Sequence, residues 1–267
     1  MKNDLFSIGP LTIHGYGLMM AIGILTAYFM VEYRAKRRGI DEDTIFNFGI
    51  WAVLSGLLGS KILYLITRFP DLIAQPSLFW DSLMDGWVVY GSIIGGIVGA
   101  WIYCKKSGLI FLQMFDLVAP ALALAQGIGR IGCFLAGCCY GIRLEKGNPI
   151  AIVFHESAYA PNDVPLLPTQ IISSVLNLLH FGLLMFLSGK LKKNGQVAGC
   201  YLVFYSVGRF VLEYFRGDLI RGNVGALSTS QFIAIFMCLA GLFLLFVQPR
   251  LQKNPEISAR RQDEEQC

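Results

Sequence analysis

Apolar runs of membrane-spanning length constrain this chain more than any other feature. About 20 residues of apolar helix cross the hydrocarbon core of a bilayer. Runs of that order lie from about Ile13 to Tyr33, Ile45 to Thr67, Val88 to Cys104, Met114 to Leu135, Gln170 to Leu187, Val197 to Tyr214 and Thr229 to Val247. The fold class they predict is all-α: a polytopic membrane protein with about seven transmembrane helices. Composition agrees, with 55% hydrophobic residues and only 15% charged. A soluble domain carries about 25% charge, so a soluble enzyme is excluded. The cysteines follow no regular paired spacing, which excludes a disulfide-stapled secreted domain. No cleavable leader is apparent, so the first run itself is expected to direct insertion.

Basic residues then orient the runs. Arg34, Lys36, Arg37 and Arg38 follow the first, Lys105 and Lys106 the third, Lys190, Lys192 and Lys193 the fifth, and Arg250, Lys253, Arg260 and Arg261 the seventh. Seven spans place all four clusters on one side. The N-terminus is then expected outside and the C-terminus in the cytoplasm. Residues 1–248 form the membrane domain, with outer loops at 69–86 and 142–168. Residues 249–267 read as a polar, disordered cytoplasmic tail. The loop at 142–168 is long for a connection and reads as a small cap or lid.

Arg130 and Arg209 stand inside apolar runs, where an arginine costs roughly 2.5–3.5 kcal/mol. Glu213, one helical turn beyond Arg209, is a partner on the same face. Two arginines with one carboxylate leave positive charge over, and guanidinium groups match phosphate. An anion site for a phospholipid head group follows; an arginine snorkelling to the interface is the plainer alternative. Gly91, Gly95, Gly96 and Gly99 read as close helix packing, and Asp116 as structural. His155 and His180 have no evident partner. Cys133, Cys138 and Cys139 admit a Cys133–Cys138 disulfide, a zinc or copper site of non-standard C-x4-C-C spacing, or small side chains packed among glycines.

The stretches HGYG (14–17), GRIGCFLAGCCYG (129–141), LPTQ (167–170) and GRFVLEYFRGD (208–218) together resemble the prolipoprotein diacylglyceryl transferase family over nearly the whole chain. That resemblance implies transfer of the diacylglyceryl group of phosphatidylglycerol to the lipobox cysteine thiol of prolipoproteins, giving a thioether and glycerol phosphate. It implies Arg130 and Gly141 as substrate-binding residues, with Cys133 and Cys138 standing at substrate-binding positions, and Tyr16, His14, Arg209 and Glu213 as catalytic ones, with Tyr90 a further candidate base. It implies no cofactor and no metal. The expected partners are phosphatidylglycerol, prolipoprotein signal peptides and the bacterial cytoplasmic membrane, with no nucleic acid. The sequence departs from the family at Cys133, where asparagine is usual, and at Cys138, often acidic. It departs again at Tyr90 and Leu167, where histidine is common. Two other readings remain open on the residues: a paralogue using the cysteines for thiol-redox, thiol-transfer or metal chemistry, and a non-catalytic phospholipid-binding protein.

Overall fold

A computed structural model of the chain describes residues 4–8, 11–75, 86–218 and 222–248. The expected tail at 249–267, and residues 76–85 of the loop at 69–86, lie outside the described residues. Helices dominate. They are α1 (Gly15–Lys36), α2 (Glu42–Thr67), α3 (Phe69–Ala74), α4 (Val89–Lys106), α5 (Phe111–Ala136), α6 (Thr169–Lys190), α7 (Gln196–Glu213) and α8 (Thr229–Leu242), the last continued by a π-turn at Phe243–Val247. The all-α expectation needs one correction. Three antiparallel two-stranded ribbons are present among the described residues: β1 (Asp4–Ile8) with β2 (Leu11–His14), β3 (Ile152–Val153) with β4 (Pro165–Leu166), and β5 (Asn223–Val224) with β6 (Leu227–Ser228). β1 and β2 lead into α1, and the other two ribbons lie in connections between helices, where backbone groups have no helical partner.

Five helices, α1, α2, α5, α6 and α8 with its π-turn, are long and apolar enough to cross a membrane. The other two of the seven expected runs are shorter, at 18 residues each, and more polar: Lys105 and Lys106 end α4, and Gln196, Arg209 and Glu213 lie in α7. Large apolar side chains face outward. Phe29, Leu58, Ile94 and Phe236 are 62%, 62%, 59% and 58% exposed. Patches of that extent are an aggregation hazard in water and are at home in lipid. The chain is a polytopic, mostly helical membrane protein.

Two compact units are formed: Val31–Met114, and Met1–Met30 with Phe115–Cys267. In the former, α2 and α4 pack backbone to backbone. A Cβ on Gly59 would lie 2.9 Å from Gly95 Cα, and one on Gly91 would lie 2.8 Å from Ser60 Cα. Lipid gives apolar helices little reason to associate, so close van der Waals approach through small residues supplies the attraction.

In the latter unit α5 is the buried element. Leu117, Ala119, Ala121 and Ala123 have no exposed surface, and Ala119 and Ala123 pack against Leu184, Val197, Cys200 and Tyr201. Asp116 caps another helix from here. Its carboxylate accepts from Gly195 N (2.6 Å) and Ala198 N (2.7 Å), two donors at the start of α7. A helix N-terminus leaves such donors unsatisfied and favours negative charge. The segment 142–168 has its own small core of Phe154, Ala160 and Leu166 against Phe134 and Tyr140, so it is a packed cap rather than an open loop.

Candidate functional site

The C-terminus of α5 sets the site. Gly137 takes φ +74°; its N–H donates to Phe134 O (3.1 Å), and Cys138 N–H donates to Cys133 O (3.1 Å). That pair of bonds is a Schellman ending, which requires a left-handed residue after the helix. Cys139 follows at φ +61°, unusual for a residue with a side chain. Both cysteine carbonyls are held by the start of α6. Thr169 Oγ1 donates to Cys139 O (2.8 Å) and Gln170 Nε2 to Cys138 O (2.8 Å).

Gly141 completes the turn. Its N–H donates to Leu167 O (3.0 Å), Gly217 N–H donates to Tyr140 O (3.0 Å), and residues 141 and 216 form an antiparallel bridge. A Cβ on Gly141 would fall 2.6 Å from Leu167 O. The motif stretches at 129–141, 167–170 and 208–218 are thus one hydrogen-bonded assembly. Gly132 serves the same end: a Cβ there would lie 3.2 Å from Tyr16 O, so its absence lets α1 approach α5.

A cleft of about 250 Å³ opens beside this assembly, between α6 and α7. Arg130, Arg209, Arg216 and Cys139 line one part of it, and Leu176, Leu179, Leu183, Phe204 and Leu212 another. Leu176, Leu179 and Phe204 are 44%, 66% and 45% exposed, so the apolar wall is open to lipid.

Charge is unevenly matched in the cleft. Arg209 Nη1 pairs with Glu213 Oε2 (2.6 Å), and Nη2 donates to Ser230 Oγ (2.8 Å). Arg216 forks onto Asp218, at 2.9 Å from Nε and 2.7 Å from Nη2. Burial works against the Arg216 charge, but Asp218 and Cys139 outweigh it and hold its pKa above the ordinary value. Arg130 interacts electrostatically with Cys133, Tyr205 and Cys139, and has no carboxylate partner among the described residues. The cleft thus carries three guanidinium groups against two carboxylates, with the Cys139 thiol beside Arg130 and Arg216.

The three cysteines of the motif form no disulfide among the described residues, and their Sγ atoms all lie within 4.8 Å of one another. Within the cluster Cys139 and Cys138 part company. Hydrogen bonds from Cys133 and Cys138, then the Arg216 and Arg130 charges, push the Cys139 thiol down. Hydrogen bonding to Cys133 and Cys139, then burial, pushes Cys138 up.

The structure brings together Tyr16, Arg130, Cys133 and Cys138, since Tyr16 interacts with Arg130 and all three thiols. Arg209, with Glu213, joins them through the cleft. His14 ends β2, exposed, and is not a lining residue. Tyr90 is the second residue of α4, in the other unit, and is 39% exposed. Gly141 is placed by backbone packing. Sequence reasoning missed the role of Arg216, whose signal was its place in the 208–218 stretch, seven residues after Arg209. It passed over Cys139 in favour of Cys133 and Cys138. It also missed a buried polar stripe on α6, formed by Gln170, Ser173, Ser174, Asn177 and His180. Their spacing of three and four residues inside an apolar run was legible. His180, read without a partner, stacks on Tyr201 at 5.5 Å and lines the cleft. His155 Nδ1 lies 2.8 Å from Asp163 Oδ1 on the cap.

The family model described as prolipoprotein diacylglyceryl transferase matches residues 3–247. Among curated proteins, one from Clostridium tetani is 47% identical over 244 residues, covering 91% of this chain and 96% of its own length. One from Clostridium perfringens is 45% identical, covering 91% and 94%. One from Staphylococcus carnosus is 31% identical over 254 residues, covering 90% and 88%. All three are named phosphatidylglycerol–prolipoprotein diacylglyceryl transferase. With the match running through all three motif stretches that build the cleft, the chain belongs to the prolipoprotein diacylglyceryl transferase family.

Proposed function

We propose that this membrane protein transfers the diacylglyceryl group of phosphatidylglycerol to the lipobox cysteine of prolipoproteins. The observation that carries the reading is the cleft, cationic along one part and apolar and open to lipid along another. A phosphodiester head group fits the arginines while its acyl chains lie along Leu176, Leu179 and Phe204. The reaction displaces a phosphate monoester from the glyceryl carbon by a thiolate. Negative charge develops on the leaving oxygen, and preorganised cations stabilise it most when water is excluded. Arg130, which has no carboxylate partner among the described residues, is the primary phosphate ligand. Arg209 and Arg216 are held ready by Glu213 and Asp218. Of Tyr16, Tyr90 and His14, Tyr16 is the residue whose interactions with Arg130 and the thiols support a role in receiving the substrate's proton. The relatives' shared designation as transferases weighs against a non-catalytic lipid binder and against a thiol-redox paralogue.

In this reading the chain has seven spans, α4 and α7 included, with the basic clusters in the cytoplasm. The cleft then faces outward in a bacterial cytoplasmic membrane, where exported prolipoproteins arrive. The test is maturation of a reporter prolipoprotein in cells depleted of their own transferase, followed as a mobility shift. The wild-type chain restores the shift. Arg130→Ala and Arg209→Ala each lose about 100-fold or more in rate. Near-normal maturation with either variant overturns the anion-site assignment.

A further inference from the structure

The incoming thiol must lose its proton before it attacks. Tyr16 is the acceptor beside the motif, and a neutral phenol is a poor base. Beside it stand the three thiols of Cys133, Cys138 and Cys139. Zinc holds each thiolate at about 2.3 Å, which puts the sulfurs of a tetrahedral site about 3.8 Å apart. Cys133, Cys138 and Cys139, within 4.8 Å of one another, close onto such an ion with small side-chain rotations.

Local folding accounts for one contact only. A Schellman ending brings the second residue beyond the helix against the last turn, hence Cys138 against Cys133. Cys139 joins them through its left-handed backbone at φ +61°, a conformation of the kind that costs about 1–3 kcal/mol and persists where surroundings enforce it. Thr169 and Gln170 enforce it through the two carbonyls. Among the described residues, no fourth His, Cys, Asp or Glu joins the group. Structural zinc sites are closed by four protein ligands, whereas three ligands and an open position mark a catalytic one. The open side is accessible: all three cysteines are only partly buried, and Cys139 lines the cleft. Three thiolates and a divalent cation sum to one negative charge, which the adjacent Arg130 and Arg216 offset.

We propose that Cys133, Cys138 and Cys139 bind a zinc ion whose open fourth position takes the sulfur of the substrate cysteine. The proposal rests on the transferase reading. Coordination deprotonates the substrate thiol, and the proton leaves to solvent by way of Tyr16. The coordinated sulfur attacks the glyceryl carbon. An S–C bond forms and the C–O bond to phosphate breaks. The electron pair departs with glycerol phosphate, held by the arginines. The neutral thioether is a weaker ligand and dissociates, leaving the zinc unchanged.

The test uses the purified full chain in phosphatidylglycerol-containing micelles. Zinc is quantified after dialysis, cobalt(II) is substituted and its thiolate charge-transfer absorption recorded, and transfer to a lipobox peptide is measured before and after chelation. The expected result is zinc equimolar with the chain, lost by about 100-fold in affinity or more in Cys138→Ser and Cys139→Ser. The cobalt spectrum shifts when lipobox peptide is added, and not with its Cys→Ser analogue. Chelation lowers the rate at least about tenfold, and zinc restores it. Full activity in a metal-free chain overturns the proposal, as does bound zinc whose removal leaves the rate unchanged. A folded, zinc-loaded chain that leaves the peptide unmodified overturns the transferase reading instead, and metal binding itself then stands.

Discussion

Arg130, Arg209 and Arg216 share one cleft but differ in what already holds them. Arg209 and Glu213 form a nearly buried pair, with side chains 13% and 9% exposed. Removing one partner strands the other's charge. Arg209→Ala is therefore expected to cost about 3 kcal/mol of stability, and Arg209→Ala with Glu213→Ala clearly less. Thermal unfolding of the four proteins of that cycle in detergent measures the difference. Arg216→Lys keeps the charge but loses the fork onto Asp218; transfer is expected to fall at least about tenfold, read by the same peptide assay. The thiols separate too. Hydrogen bonds from Cys133 and Cys138, with the Arg216 and Arg130 charges, push the Cys139 pKa down. In chelated protein Cys139 is expected to react with iodoacetamide at lower pH than Cys138, as peptide mapping will show. The sequence made Arg130 and Arg209 legible, because charge in an apolar run is costly wherever it occurs. It did not make Arg216 or Cys139 equally so. Arg216 lies just past a helix end, where an arginine is cheap, and the distinction of Cys139 is a backbone angle.

Helices were the most legible elements, since each expected apolar run became a helix with ends shifted by a few residues. The ribbons were not. A two-residue strand has no periodicity, and the pairing of Ile152 with Leu166 joins segments separated in sequence. The contact between Asp116 and α7 crosses 79 residues to Gly195 and is invisible to local pattern for the same reason. Asp116→Ala leaves two buried N–H groups without their acceptor and is expected to cost about 2–3 kcal/mol, seen as a lower unfolding temperature. Gly141→Ala forces a methyl group against Leu167 O, between the start of α6 and residues 215–217. A loss of about 1–3 kcal/mol is expected, together with reduced transfer, because the same turn carries Cys139. The α6 polar stripe shows how an apolar average hides a functional face: Gln170, Ser173, Ser174, Asn177 and His180 point inward and leave the hydropathy of the run high.

Seen whole, the molecule divides its work between two units. One is built on glycine-mediated packing of α2 and α4. The other holds the motif stretches, the cap at 142–168 and the cleft. Composition alone was enough to assign this chain to a membrane, because its lipid-facing surfaces are made of the same residues as its core. The cleft's wall of Leu176, Leu179 and Phe204 faces outward rather than into a closed pocket. A phospholipid that enters sideways along that wall never has to leave the bilayer, so encounter takes place in two dimensions. The quantity that sets the rate is then the surface density of the anionic lipid. Diluting phosphatidylglycerol with a neutral lipid in vesicles of fixed total phosphatidylglycerol is expected to slow transfer in proportion to its mole fraction. A cell that changes its lipid composition would thereby change the pace of lipoprotein maturation without altering the amount of enzyme.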